Sequence, residues 1–172
     1  MYEEFYGFTE NPFSLTPDPK YFYQGESHLR AFELLRYSVS RGEGFIVVYG
    51  EVGMGNTTLC RTVLENVQQN TYTALLLNPF LSETDLLRAI LQDFGVLSPG
   101  ALTGNGRLIS KHDLITGLNT FLLSIMGVNG RPVVLIDEAQ NIPTATLEQI
   151  RILSNLETDK QKLLQIVLVG QT

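Results

Sequence analysis

The sequence predicts an α/β fold built around a parallel sheet. Short runs of β-branched and apolar residues alternate with segments that carry apolar residues at helical spacing. The predicted strands are 45–49, 72–77, 132–137 and 163–170, and the predicted helices are 27–41, 57–67, 82–94, 110–126 and 144–154. This alternation is typical of parallel strands joined by helices. A glycine-rich loop after the first strand and two carboxylates after the third indicate where the chemistry lies.

The first helix and the first strand are predicted from local signals. Ser27 can cap the helix, and Gly42 can end it. Apolar residues at helical spacing lie between them, namely Leu29, Phe32, Leu35 and Val39. The run FIVVY at 45–49 is apolar throughout, and we therefore expect a parallel strand that is buried on both faces.

The later elements have clear boundaries. Ser82 and Asp85 form a capping-box pattern at the start of the third helix, and the Gly-rich stretch 95–107 is predicted to be a loop. No repeat or low-complexity tract interrupts the series.

The first 24 residues differ from the rest in composition. They contain eight of the sixteen aromatic residues, together with prolines at 12, 17 and 19 that forbid a continuous helix. So much aromatic surface favours a segment that packs on the body of the protein. We therefore divide the chain into an N-terminal linker, 1–26, that is packed on a core, 27–172.

Composition excludes several classes of protein. Twelve Lys and Arg against eighteen Asp and Glu give a net charge of −6, so nucleic acid is not an expected partner and no basic field would draw this chain to an anionic membrane. Cys60 is the only cysteine and cannot form an internal disulfide. The acidic start does not read as a signal peptide, and we expect a cytoplasmic protein without membrane contact of its own.

The loop GEVGMGNTT at 50–58 has the form of a phosphate-binding loop. The pattern G-x-x-x-x-G-K-T/S has its glycines so that backbone N–H groups can surround phosphate oxygens, and the following helix adds its positive N-terminus. The predicted nucleotide-binding residues are Gly50, Glu51, Val52, Gly53, Met54, Gly55, Asn56, Thr57 and Thr58. Thr57 is placed to bind Mg²⁺ and Thr58 to bond the α-phosphate. A plain tight turn between strand and helix is the alternative.

Asp137 and Glu138 follow the apolar run 133–136 directly. They would therefore lie at the carboxyl end of a buried strand, where open α/β sheets bind ligands. Asp137 would hold Mg²⁺ through water, and Glu138 would orient and deprotonate the attacking water. The alternative is that these carboxylates only cap the next helix.

Four stretches together resemble the AAA+ ATPases of the ExeA type, the general-secretion-pathway A proteins. They are GEVGMGNTT, VVLIDEAQNIP, SNLETDKQKLLQIVLVGQ and NPFSLTPDPKYFY. The resemblance implies a P-loop NTPase (AAA+) core whose sheet has the order 5-1-4-3-2, with ATP and Mg²⁺ as cofactors. It makes Gly50–Thr58 the Walker A loop and Asp137 with Glu138 the Walker B pair. It also puts Gln171 at the catalytic sensor-1 position.

The resemblance further implies partners and an adenine contact. Asn11, Pro12 and Phe13 lie where relatives bring a linker past the adenine. A full-length parent would form a homo-oligomer, would contact an export-apparatus protein, and could be anchored in the inner membrane. The chain ends at Thr172, before the fifth strand and the helical lid of the family, so we expect a truncated core.

Asn56 departs from the family pattern, which has lysine there. A charge-assisted contact of the lysine ammonium contributes about 1.5–3 kcal/mol, so its loss should weaken ATP binding about ten- to a hundredfold. Catalysis should lose more, because a neutral amide does not spread the charge that develops in the transition state. Three hypotheses remain open: an export ATPase module, a DNA-associated ATPase of the transposition-regulator type, and a non-enzymatic module with a degenerate site.

Overall fold

A computed structural model describes residues 2–11, 25–51, 53–66, 70–98, 103–104, 107–159 and 161–171. Its helices are α1 (Tyr2–Tyr6), α2 (Glu26–Arg41), α3 (Asn56–Glu65), α4 (Glu83–Asp93), α5 (Lys111–Met126) and α6 (Thr144–Ser154). Its strands are β1 (Phe45–Gly50), β2 (Thr71–Leu76), β3 (Thr103–Gly104), β4 (Arg107–Leu108), β5 (Arg131–Ile136) and β6 (Gln165–Gln171). A 3-10 turn, Ala139–Asn141, follows β5. Among the described residues, no helix combines the length and the apolar character needed to cross a bilayer.

Four strands form a parallel sheet in the order β1-β6-β5-β2. Counted along the main sheet, these are the first, fourth, third and second strands, so the predicted order 1-4-3-2 is confirmed. The register pairs Val48 with Val169 and Val134 with Ile166. All four carboxyl ends therefore meet at one edge, which also carries the loop after β1 and the carboxylates after β5.

Helices cover both faces of the sheet. On one face α2 and α3 pack against alternate residues of β5, including Val133 and Leu135, and on the other face α4, α5 and α6 pack against Val134 and Ile136. Successive strand side chains point to opposite faces, and each of these four residues is therefore buried on its own side. A strand with both faces covered must be apolar throughout. This explains the run that precedes Asp137.

β1 corrects one expectation. We expected burial on both faces, but Phe45, Val47 and Tyr49 are exposed, at 45%, 56% and 72%. β1 is an edge strand that pairs only with β6 within the described part of the chain. Ile46 and Val48 pack against the cluster formed by α2 and α3, so only this face of the strand is covered.

Other differences concern element ends. α2 begins at Glu26 with Gly25 as its N-cap, so Ser27 does not cap it. The predicted loop 95–107 includes the short antiparallel pair β3 and β4. The cap of α4 is confirmed, because the Ser82 side chain accepts a hydrogen bond from the Asp85 amide.

The N-terminal aromatic segment is less buried than we expected. Of its described aromatic residues, Phe5 and Tyr6 are 81% and 68% exposed, and Tyr2 and Phe8 are also exposed. These rings contact each other instead: Phe5 meets Tyr6 edge-on, with centroids 5.0 Å apart. The remaining aromatic residues of the segment lie outside the described residues. The division of the chain at residue 26 therefore stays a prediction.

Candidate nucleotide-binding site

The glycine-rich loop changes the chain from β1 to α3 within a few residues. Gly53 and Gly55 both have φ of +81°, a left-handed conformation that side chains with a Cβ rarely adopt. Gly55 is also the N-cap of α3, so no side chain caps this helix. The first N–H groups of α3, with the positive end of the helix dipole, are therefore directed toward the loop. Such a helix end suits an anion.

A cavity of about 230 Å³ lies between this loop and the ends of β5 and β6. It is lined by Glu51, Gly53, Met54, Gly55, Asn56, Thr57, Thr58, Asp137, Glu138, Val169, Gly170 and Gln171. Ligand pockets usually measure about 300–1,000 Å³. The cavity is therefore suited to the phosphates of a nucleotide, not to a whole nucleotide.

Thr57 and Asp137 meet across this cavity, although 80 residues separate them in the chain. The Thr57 hydroxyl donates to Oδ2 of Asp137 at 2.7 Å. The other oxygen, Oδ1, accepts from the Glu138 amide at 2.9 Å. Asp137 is only 7% exposed, and its own amide donates to the carbonyl of Leu76 at the end of β2. Both its backbone and its carboxylate are thus fixed.

Glu138 has a strained backbone. Its φ of 52° and ψ of 38° are left-handed, which costs a non-glycine residue about 1–3 kcal/mol. Its carboxylate accepts from two glutamines: Gln171 Nε2 donates to Oε1 at 2.9 Å, and Gln140 Nε2 donates to Oε2 at 2.7 Å. Strain of this kind persists only where the surroundings fix the residue. Here the two amides fix the side chain.

Asn56 begins α3 and lies over the end of β1. A Cβ built on Gly50 would come within 2.9 Å of Asn56 Nδ2 and 3.0 Å of Oδ1, so only glycine fits beneath this side chain. The amide thus lies at the base of the loop. Its neutral donor group occupies the position where the motif has a longer, charged side chain.

Two contacts at the site were not predicted. One is Gln140, whose only sequence signal is its place two residues after Glu138. The other is His28 of α2, whose Nε2 lies 2.7 Å from the carbonyl oxygen of Met54. Because a carbonyl only accepts, Nε2 must carry the proton. His28 therefore links α2 to the glycine-rich loop, where we had expected only a surface or cap role.

Cys60 lies on α3 behind the loop and is fully buried. Burial raises the pKa of its thiol from 9.0 to about 12, and the nearby Asp137 charge raises the pKa further in the same direction. A thiol that stays protonated is a poor nucleophile. Cys60 thus serves as a small core residue, as the sequence indicated.

The remaining predicted residues are placed as follows. Asn11 is exposed, accepts a hydrogen bond from the Tyr2 hydroxyl at 2.8 Å, and does not line the cavity. Val52, Pro12 and Phe13 lie outside the described residues. The adenine contact that we assigned to 11–13 therefore stays a prediction.

The donor set fits Mg²⁺ carried by phosphates. Thr57 donates its proton to Asp137 and keeps its oxygen lone pairs for a cation, and the buried carboxylate can hold a metal-bound water. In the part of the chain that is described, no three His, Cys, Asp or Glu side chains group as a metal site. A cation here would therefore need phosphate oxygens to complete its shell, which is usual for Mg²⁺.

Comparison with known proteins agrees with this geometry. The model of the family described as AAA domain matches residues 39–172. General secretion pathway protein A of Aeromonas hydrophila is 44% identical over 171 residues, which cover 99% of this chain and 30% of that protein. This chain thus spans about a third of the length of that relative.

Solved structures show the same fold at low identity. Cdc6p from Pyrobaculum aerophilum is 14% identical with a TM-score of 0.65, covering 94% of this chain and 42% of its own. The ORC2 protein of Aeropyrum pernix, in ADPNP-ADP complexes, is 15% identical with a TM-score of 0.60, covering 94% and 44%. The chain belongs to the AAA domain family of P-loop ATPases, and the resemblance to general-secretion-pathway A proteins that its motifs indicated is confirmed.

Proposed function

We propose that this chain is the ATP-binding AAA+ module of a secretion-pathway assembly ATPase, with hydrolysis impaired by Asn56. The contact between Thr57 and Asp137 carries the proposal. It joins the two halves of a Mg²⁺-nucleotide site, the glycine-rich loop and the acidic end of β5, at one cavity. Neither a plain turn nor a helix cap requires these two side chains to meet.

In this proposal the loop residues bind the phosphates. The N–H groups of the loop 50–58 would surround the β- and γ-phosphate oxygens, and Thr58 would bond the α-phosphate. Thr57 would bind Mg²⁺ directly and Asp137 through water. Mg²⁺ would neutralise charge on the phosphate oxygens.

Glu138 and Gln171 would act on the attacking water. The Glu138 carboxylate can accept a proton from water, and Gln171, at the end of β6, would orient the water and the terminal phosphate. Support comes from their direct contact at 2.9 Å. Both side chains border the same cavity as Thr57 and Asp137.

Asn56 would lower both binding and turnover. The family's lysine would contribute about 1.5–3 kcal/mol through a charged contact to the phosphates. Asn56 offers a neutral amide at the base of the loop. We therefore expect binding that is about ten- to a hundredfold weaker than in a lysine form, and hydrolysis that is weaker still.

The setting is proposed from the relative. Similarity to a protein named for the general secretion pathway supports a role in export, with an export-apparatus protein as partner and a homo-oligomer of the full-length parent. We place this module in the cytoplasm, where ATP is available, and its parent at the inner membrane. The net charge of −6 disfavours nucleic acid as partner.

Calorimetric titration of the native chain with ATP, with and without Mg²⁺, tests the proposal. We expect saturable binding that requires Mg²⁺, and we expect Thr57→Val to weaken it about ten- to a hundredfold. Thr62→Val is the matched control, because the Thr62 hydroxyl bonds the Thr58 carbonyl on the same helix and does not line the cavity.

The alternatives give different results. A non-enzymatic module would show no saturable nucleotide binding at millimolar ATP. A DNA-associated ATPase would shift DNA fragments in a gel at low salt, which this acidic chain should not do.

A further inference from the structure

We propose that Gln140 is a positioning residue that fixes the orientation of Glu138 and links it to Gln171. The inference rests on the proposed role of Glu138 as the general base. It adds a residue for which the sequence motif itself predicts no function. The observation behind it is a closed set of three hydrogen bonds among Glu138, Gln140 and Gln171.

The three bonds form a ring. The backbone N–H of Gln171 donates to Oε1 of Gln140 at 3.0 Å. Nε2 of Gln140 donates to Oε2 of Glu138 at 2.7 Å. Nε2 of Gln171 donates to Oε1 of Glu138 at 2.9 Å. The carboxylate is therefore held at both oxygens, and each amide is held by the other residue or by the carboxylate.

Proton inventory determines which way the Gln140 amide faces. A backbone N–H can only donate, so the Gln140 atom that faces Gln171 must be the oxygen. Its nitrogen must then face Glu138. An ionised carboxylate only accepts, which matches a donor at each of its oxygens. No other orientation of the Gln140 amide satisfies both neighbours.

The backbone around Gln140 is shaped for this contact. Gln140 lies in the 3-10 turn 139–141, which the left-handed Glu138 begins. On the β6 side, a Cβ on Gly170 would come within 3.2 Å of Gln140 Oε1. Glycine at 170 therefore leaves the space that the Gln140 side chain needs. Turn and strand together bring the amide between Glu138 and Gln171.

The ring has a consequence for catalysis. Gln171 ends β6 and borders the phosphate cavity, so a displacement of that strand end reaches Glu138 both directly and through Gln140. Without the Gln140 donor, Oε2 of Glu138 keeps no hydrogen bond within the described residues, and the side chain can rotate. A misplaced base lowers turnover and leaves nucleotide binding intact.

Gln140→Glu isolates the donor. Glutamate keeps the size of the side chain and an oxygen that can accept from the Gln171 amide, but it loses the N–H group that faces Glu138 and adds a like charge. Gln161→Glu is the control, because it makes the same chemical change at an exposed position before β6, at the opposite end of that strand from Gln171.

The first measurement uses the nucleotide-free native chain. Side-chain coupling constants and contacts in NMR spectra should show one Glu138 rotamer, with slow water exchange of the Gln171 side-chain amide. In Gln140→Glu we expect several Glu138 rotamers and exchange that is at least severalfold faster. Gln161→Glu should resemble the native chain. A single unchanged rotamer in Gln140→Glu would overturn the inference.

The second measurement uses the Asn56→Lys form, in which hydrolysis should be measurable. Adding Gln140→Glu should lower kcat about ten- to a hundredfold with KM within twofold. A change in KM alone, or no change, would contradict a positioning role. If Asn56→Lys itself shows no hydrolysis, the proposed function fails, and the rotamer measurement still decides whether Gln140 holds Glu138.

Discussion

Asn56 is the residue that should limit nucleotide affinity. The remaining parts of the site are in place around it, with Thr57 and Asp137 in contact at 2.7 Å. We therefore predict that Asn56→Lys tightens Mg-ATP binding at least about tenfold, since a charged contact contributes more than about 1.4 kcal/mol. Isothermal titration of both forms measures this. Equal affinities would show that Asn56 is not the defect.

Glu138 should affect turnover and not binding. Its carboxylate acts on water in the proposed reaction, so Glu138→Gln in the Asn56→Lys form should leave the Kd for Mg-ATP within about twofold and abolish hydrolysis. Phosphate release measured beside calorimetry separates the two effects. Persisting turnover would mean that another group is the base.

Cys60 gives the chain a predictable sensitivity to alkaline pH. The unfolded thiol loses its proton near pH 9, whereas burial raises the pKa of the folded thiol to about 12. Between these values the unfolded state binds fewer protons, so the free energy of unfolding should fall by up to about 1.4 kcal/mol per pH unit. Below pH 9 this effect is absent.

Urea unfolding at pH 8 and pH 10.5 tests the alkaline effect. Cys60→Ala lacks the thiol, and its stability should fall less over the same interval, because all other groups titrate alike in both proteins. An identical fall in both proteins would contradict the raised pKa of Cys60.

At the scale of the element, α5 depends on its capping box. Ser110 Oγ accepts from the Asp113 amide, and the Asp113 carboxylate accepts from the Ser110 amide and hydroxyl. These bonds from Ser110 lower the pKa of Asp113 below its usual value of 3.8. A lowered folded-state pKa means that the stabilisation is present above pH 3.8 and is lost as the pH falls through the folded value.

We predict that Ser110→Ala lowers the melting temperature at pH 6 and narrows the gap between pH 6 and pH 3. Ser124→Ala, inside the same helix, is the control, because its hydroxyl only bonds back to the Phe121 carbonyl and alanine suits a helix interior. Circular dichroism melts at the two pH values measure both variants. A loss as large in Ser124→Ala as in Ser110→Ala would argue against the cap.

Most elements could be predicted because their signals are local. Ser82 before a helical pattern and the apolar run before Asp137 each act within a few residues, and both were read correctly. Gly25 was missed as the cap of α2, since Ser27 is the stronger cap by residue type. β3 and β4 were missed because strands of two residues leave no periodic pattern.

At the scale of the whole molecule, β1 leaves the sheet with an exposed edge. Its outer backbone groups have no strand partner within the described residues, and Phe45, Val47 and Tyr49 add an exposed apolar face. Long apolar edges pair with other chains. We therefore predict that this 172-residue chain self-associates through β1, unless its N-terminal segment covers that edge.

Light scattering over a concentration series, with hydrogen exchange at residues 45–50, tests this prediction. Val47→Lys should reduce association, because a charge on an edge strand blocks pairing. Thr73→Lys, on the opposite edge strand β2, should leave association unchanged. A monomer whose β1 amides exchange rapidly, or an effect from Thr73→Lys alone, would count against the β1 edge.

The sequence by itself determined the features that arise from neighbouring residues: the strands and helices, the glycine-rich loop and the carboxylates after β5. It also indicated the family, through four stretches that agreed. Tertiary structure decided which distant groups meet, such as Thr57 with Asp137 and the ring that Gln140 completes. It also decided that one face of β1 stays exposed, because burial depends on what packs against a strand and not on how apolar the strand is.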